Sequence, residues 1–168
     1  MELITILNRC HRFRGFVYQH AYFSADKKSI EVAMRPRKGS AAVCSRCHLP
    51  APGYDQLGER RFEFIPLWGF LVFLIYTMRR VDCRHCGVTA EEVPRGDGKR
   101  TLTKAYMLFL ARWARHLSWK ETAAAFRTSW DKVFDAVEHV VSLWNAGRSA
   151  RLTPLASMKS STPKGTSI

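Results

Sequence analysis

Four of the five cysteines fall in two pairs, Cys44-Ser45-Arg46-Cys47 and Cys83-Arg84-His85-Cys86, separated by 35 residues. A Cys-x-x-Cys pair wraps a tight turn, so that two thiolates face one cation. Two such turns supply the four sulfurs of a closed tetrahedral Zn²⁺ site. Gly87, just past the last cysteine, suits a turn that needs a positive φ. His48 and His85 lie beside the ligands and could substitute, but four cysteines already fill the site. A closed site has no position for an activated water, so the metal is expected to be structural. Disulfides are disfavoured by the intracellular reading below. Thioredoxin-like chemistry would need one pair at a helix start beside a βαβ unit, which the sequence lacks. An iron–sulfur cluster remains an alternative use of four cysteines. Cys10 is the odd one and is read as a buried thiol.

The segments around these pairs must bring them together. A short strand is expected over 29–34, with Ile30, Val32 and Met34 on one face. The segment 35–40 has turn chemistry and 50–58 looks like a loop. Alternation of charged and apolar residues predicts a half-buried strand over 59–65. After Pro66 and Gly69, the β-branched and aromatic run 70–81 reads as a long buried strand that delivers the chain to Cys83. Two strands joined as a hairpin would bring the cysteine turns together in a zinc-ribbon-like domain over 29–93. Residues 1–28, with aromatics among basic residues, stay ambiguous. Pro94, Gly96 and Gly98 mark 94–100 as a linker.

From Thr101 the apolar period lengthens to that of a helix, with Leu102, Ala105, Tyr106, Phe109, Leu110, Trp113 and Leu117 on one face. Ser118 and Glu121 have the spacing of a capping box at the start of a short helix, 119–126. Ser129 offers a second cap, followed by a helix through Val133, Val137, Val140, Val141 and Trp144. This pattern fits a helix-turn-helix over 101–145, with Ala123 at the helix crossing and Phe126 and Val133 buried. In such a module Ser129, Trp130, Asp131 and Lys132 would enter the major groove, with Lys120 and Arg127 near phosphates. Arg127 occupies the turn position where a Gly is usual. Residues 146–168, without an acid and rich in Ser, Thr, Pro and Gly, read as a disordered tail.

The chain of 168 residues carries 27 Lys and Arg against 14 Asp and Glu, a formal charge of +13. Its apolar content of 46% is enough for a packed core and argues against wholesale disorder. The basic excess is distributed: 17 bases and 10 acids over 1–100, 6 and 4 over 101–145, 4 and 0 beyond. Short basic clusters between apolar runs, Arg79-Arg80 among them, suit a folded surface facing a polyanion. A membrane surface or an acidic protein are the other partners such a charge admits. No signal peptide is visible at the start, and the apolar stretch 65–78 is too short to span a bilayer.

The combination resembles the N-terminal half of bacterial insertion-sequence transposases of the ISL-three family. The resemblance rests on Cys44-x-x-Cys47, Cys83-x-x-Cys86-Gly87, the basic strand ending in Arg79-Arg80-Val81-Asp82-Cys83, and the segment Ser118-Trp119-Lys120-Glu121-Thr122-Ala123-Ala124-Ala125-Phe126. It covers roughly residues 25–145. It implies an α+β chain in which a zinc-binding domain and a helix-turn-helix recognise the terminal inverted repeats of the element. In that family a following domain with three carboxylates holds Mg²⁺ and cuts DNA. Here the last acid is Glu138, so a chain truncated or frameshifted before the catalytic domain is expected, with no catalytic residue and no small-molecule substrate. The implied partner is double-stranded DNA, with a homodimer possible, in the bacterial cytoplasm at the nucleoid. Two other readings stay open: half of an active transposase completed by a separate catalytic chain, and a zinc-ribbon module that binds another protein.

Overall fold

The computed structural model describes residues 2–93 and 101–152, with the backbone alone over 146–152. It is mixed α+β. Helix α1 (Leu3–Cys10) precedes strands β1 (Phe16–Phe23), β2 (Ser29–Pro36), β3 (Ala42–Val43), β4 (Pro50–Ala51), β5 (Gly53–Leu67), β6 (Phe70–Cys83) and β7 (Gly87–Ala90). Helices α2 (Lys104–Trp113), α3 (Trp119–Ala125) and α4 (Trp130–Leu152) follow. None of the described helices is long and apolar enough to cross a membrane.

The main sheet has the order β1-β2-β6-β5, with β7 added along the far end of β6. Neighbours are antiparallel except β2 and β6, which run parallel with Val32 opposite Leu74. Period-two alternation builds the core on one face. Phe16, Tyr18, Ile30, Val32, Met34, Phe62, Phe64, Val72, Leu74, Tyr76 and Met78 are buried together, and Leu7 of α1 closes over them. The expected strands over 29–34, 59–65 and 70–81 are present, but longer. The loop-like 50–58 is mostly strand: although its side chains are exposed, its backbone pairs with β6 from Gly53 opposite Val81 onward. The ambiguous 1–28 segment supplies α1 and the edge strand β1, which buries Phe16 and Tyr18 and leaves its second half largely exposed.

The helices form a second core of Leu102, Tyr106, Met107, Leu110, Ala123, Val133 and Ala136, with Ile65 of β5 packed against it. The chain enters α2 along the sheet: the Glu63 amide donates to the Thr101 carbonyl (2.8 Å) and Thr103 donates back to Glu63 (3.0 Å). Leu102, expected on the helix, therefore belongs to a strand-like bridge beside Glu63. The linker expected at 94–100 lies outside the described residues. The last helix was expected to give way to a tail at 146; α4 runs on to Leu152, and 153–168 lie outside the described residues.

Tyr106 is 1% exposed. Its burial, reinforced by the Glu63 carboxylate, raises its phenol above the ordinary 10.0. Such a phenol stays protonated in the fold while the unfolded chain ionises. Stability is therefore full below the ordinary value and falls as pH rises past it. Urea midpoints measured between about pH 8 and 11 should decline for the native chain and decline less steeply for Tyr106→Phe. Equal slopes would contradict this role.

Candidate metal centre and nucleic-acid face

The two cysteine turns are built alike. In the first, β3 and β4 pair antiparallel, with Val43 opposite Pro50, and Cys44 follows directly. The Cys44 amide donates to the Leu49 carbonyl at 2.9 Å, and His48 donates to Cys44 at 3.0 Å. In the second, Cys83 pairs with Gly87 where β6 turns into β7. Each turn closes on a residue in the left-handed region directly after its second cysteine: His48 at φ 59° and Gly87 at φ 70°. The sequence reading anticipated Gly87 in this role; His48 does the same without being glycine. The open end of the β5–β6 hairpin brings the turns together, and Asp82 donates to Pro52 at 3.0 Å.

The Sγ atoms of Cys44, Cys47, Cys83 and Cys86 all lie within 4.8 Å of one another, and Cys47 and Cys83 approach to 3.5 Å. Sulfurs around tetrahedral zinc stand about 3.8 Å apart, as follows from Zn–S bonds near 2.3 Å. The set therefore fits the metal in number, chemistry and spacing. Cys44 and Cys83 are buried, packed with Ala42 and Val81 in a small core of their own. The Arg46 amide points at Cys44 Sγ from 3.4 Å. The backbone amide of Cys47 leads in pulling the Cys44 thiol down to about 6. Burial, then hydrogen bonds from Cys47 and Cys44, push Cys86 up to about 12. One thiolate is thus favoured and a fourth opposed, a conflict that a divalent cation resolves. Neither neighbouring histidine joins the set: His48 Nδ1 lies 2.9 Å from Glu92 Oε2, and His85 is exposed. Cys10 is a correction. It ends α1 exposed, because the amphipathic face of that helix turns Leu7 inward.

A residue the sequence did not single out joins this end of the molecule to the sheet. Glu91, 2% exposed, accepts from Tyr76 Oη, from the Arg79 amide (3.1 Å) and from Arg79 Nε and Nη2 (3.0 and 2.7 Å). It also forms a bridge with Cys44, while Glu92 donates to Val43 at 2.6 Å. A bare carboxylate directly after a strand carries no local signature. Only its position opposite Arg79 across β6–β7 reveals it.

The candidate DNA residues divide. Arg79 is half-buried and its guanidinium pairs with Glu91. Arg80 is half-buried; Asp55 holds it through Nε at 2.7 Å and through Nη2, and it lies over the Tyr54 ring. Lys132 is half-buried and its Nζ pairs with Glu63, tying α4 to the sheet in place of facing outward. Lys120, Arg127, Ser129, Trp130 and Asp131 are exposed.

The turn between α3 and α4 has a defined geometry. Ser118 and Glu121 make the reciprocal capping box that their spacing predicts. At the other end Thr128 donates to the Ala123 carbonyl (3.0 Å) and Arg127 to Ala124 (3.4 Å). That is a Schellman motif with Arg127 at its left-handed position, φ 52°. Ser129 Oγ then accepts from the Lys132 amide at 3.4 Å, starting α4. Val133 and Ala123 are buried as expected, whereas Phe126, also expected buried, is half-buried against Phe109 and Trp113.

No family model, curated protein or solved structure matches this chain.

Proposed function

We propose that this chain is a zinc-stabilised module that binds double-stranded DNA, with Cys44, Cys47, Cys83 and Cys86 as the metal ligands. In this reading the sheet and its cysteine end form a zinc-ribbon-like body, and α3, the turn and α4 act as a helix-turn-helix. The observation that carries it is the orientation of that unit: Ala123, Val133 and Ala136 face the core while Lys120, Arg127, Ser129, Trp130 and Asp131 face outward at one end of α4. That is the end a recognition helix presents to the major groove. The formal charge of +13 supports it, since counterion release drives such binding. The resemblance to ISL-three transposases suggests terminal inverted repeats as the target. A zinc ion would cross-link the two turns and supply no reactive water.

Arg127→Gly separates fold from function. Glycine adopts the left-handed position without the cost that an L side chain carries there, so stability should rise by about 1 kcal/mol. Loss of the cation should at the same time weaken DNA binding and lower the salt slope by about 0.9. Lys120→Ala should lower the slope alike with stability unchanged. Gel-shift titrations and urea unfolding of the two variants decide the matter. Unchanged binding in both would remove this unit from the interface.

A second reading, a module for protein partners, is favoured by the exposed apolar side chains of the helices. Trp119, Trp130, Val141, Leu143 and Trp144 are among them. A metal-loaded chain that binds no duplex would select it.

A further inference from the structure

The cavity beside the first cysteine turn is lined by no residue of α2, α3 or α4 and belongs to neither site above. Its volume is about 930 Å³, and Arg12, Arg14, Arg37 and His48 line it together with Phe13, Val43 and Pro50. Three segments distant in sequence meet there: the approach to β1, the turn after β2, and the first cysteine turn. The first two are fastened to one another. The Arg37 amide donates to the Gly15 carbonyl at 2.8 Å, and Ser40 Oγ donates to the same carbonyl at 3.1 Å. Gly15 and Gly39 both take positive φ, so the backbone turns sharply on either side of the opening.

The charge of the cavity is one-sided. Arg14 and Arg37 form no ion pair among the described residues, and Arg12 spends only Nε, on the Asn8 carbonyl. The one acid of the lining, Glu92, already meets His48. A guanidinium presents a planar fork of donors matched to phosphate oxygens. The volume is at the upper end of ordinary ligand sites, ~300–1,000 Å³, which is more than one inorganic anion fills. Phe13, Val43 and Pro50 give it an apolar floor against which a sugar could rest.

We propose that this cavity seats the sugar-phosphate backbone of the bound DNA, with Arg14 and Arg37, assisted by Arg12, on its phosphates. The proposal rests on the DNA-binding reading and adds to it a second contact region, on the sheet and away from α4. Because Val43 and His48 flank Cys44 and Cys47, the metal centre holds one wall of the cavity in place.

The test compares charge-matched double variants on a labelled mixed-sequence duplex, with affinity followed against salt. Arg14→Gln with Arg37→Gln should lower the slope of log K by about 1.8, two phosphate contacts at about 0.9 each. Lys27→Gln with Lys28→Gln, at the other end of the β1–β2 hairpin and about 25 Å away, should leave it unchanged. Arg14→Lys with Arg37→Lys keeps the charge and should restore the native slope, which separates lost contacts from a damaged fold. Circular dichroism and zinc content should match the native chain throughout. Equal slopes for the two glutamine variants would overturn the cavity while leaving the helical reading intact. A native chain that binds no duplex overturns both. Polyglutamate that displaces the duplex from the native chain, but not from the glutamine variant of the arginines, would assign the cavity to acidic peptides and overturn the nucleic-acid assignment.

Discussion

Cys44→Ser should strip the metal and melt one end of the protein while leaving the sheet folded. The reason lies in how the apolar cores are divided. The cysteine end has only Ala42, Cys44, Val81 and Cys83 as its buried cluster, with Cys47, Ala51 and Cys86 packed around it. Such a cluster is too small to hold two turns in place, and two of the strands on which it rests, β3 and β4, have two residues each. A metal held by the four sulfurs would supply the cohesion that burial cannot, as it does in small zinc modules. The main core, from Leu7 to Val93, makes no use of the four thiols. Zinc measured by atomic absorption should fall from one equivalent to none. Amide exchange should become fast over 42–52 and 82–90 and stay slow in β2 and the core half of β6. The midpoint of thermal unfolding should fall by roughly 10 °C or more. Retention of bound zinc and of slow exchange in the cysteine turns would show that the four sulfurs do not share a structural ion.

The second large effect is expected at Glu91. Its side chain is 1% exposed and serves Tyr76 Oη, the Arg79 amide and the Arg79 guanidinium at once. Glu91→Ala leaves a cation at a site only a quarter exposed without its counter-charge, and takes the acceptor from Tyr76. Breaking one side of such a pair costs about 3–5 kcal/mol, far more than an exposed ion pair contributes. Glu91 also bridges Cys44, so the damage should spread to the metal end, with zinc passing to a chelator several-fold faster than from the native chain. Arg79→Met in the same background removes the stranded charge and should recover part of the loss. A variant as stable as the native chain would refute the triad as a structural junction.

The clustering of the four cysteines was legible because Cys-x-x-Cys is a local pattern whose chemistry depends on spacing. The buried strand β6 was legible for a similar reason, since an apolar run of β-branched and aromatic residues has few other uses. The capping box at Ser118 and the cap at Ser129 were readable because a helix start is specified within four residues. What escaped was non-local. The parallel pairing of β2 with β6 joins residues some forty positions apart and leaves no trace in either segment. The first half of β5 looked like a loop because its side chains are exposed, whereas its backbone is claimed by β6. The ion pairs of Glu91, Lys132 and Arg79 escaped for one reason: a charged residue reads alike whether it faces solvent or a partner within the fold. The partner is chosen by the fold. Arg127 is the converse case, a residue whose type argued against a turn that the backbone nevertheless makes.

The central claim, a metal-held module that docks duplex DNA through its phosphates, is tested most directly by following duplex affinity of the zinc-loaded chain across a salt series. The account predicts a linear fall of log K with log salt, steep enough to report several phosphate contacts at about 0.9 each. Affinity that is absent at low salt, or that does not change with salt, would contradict it.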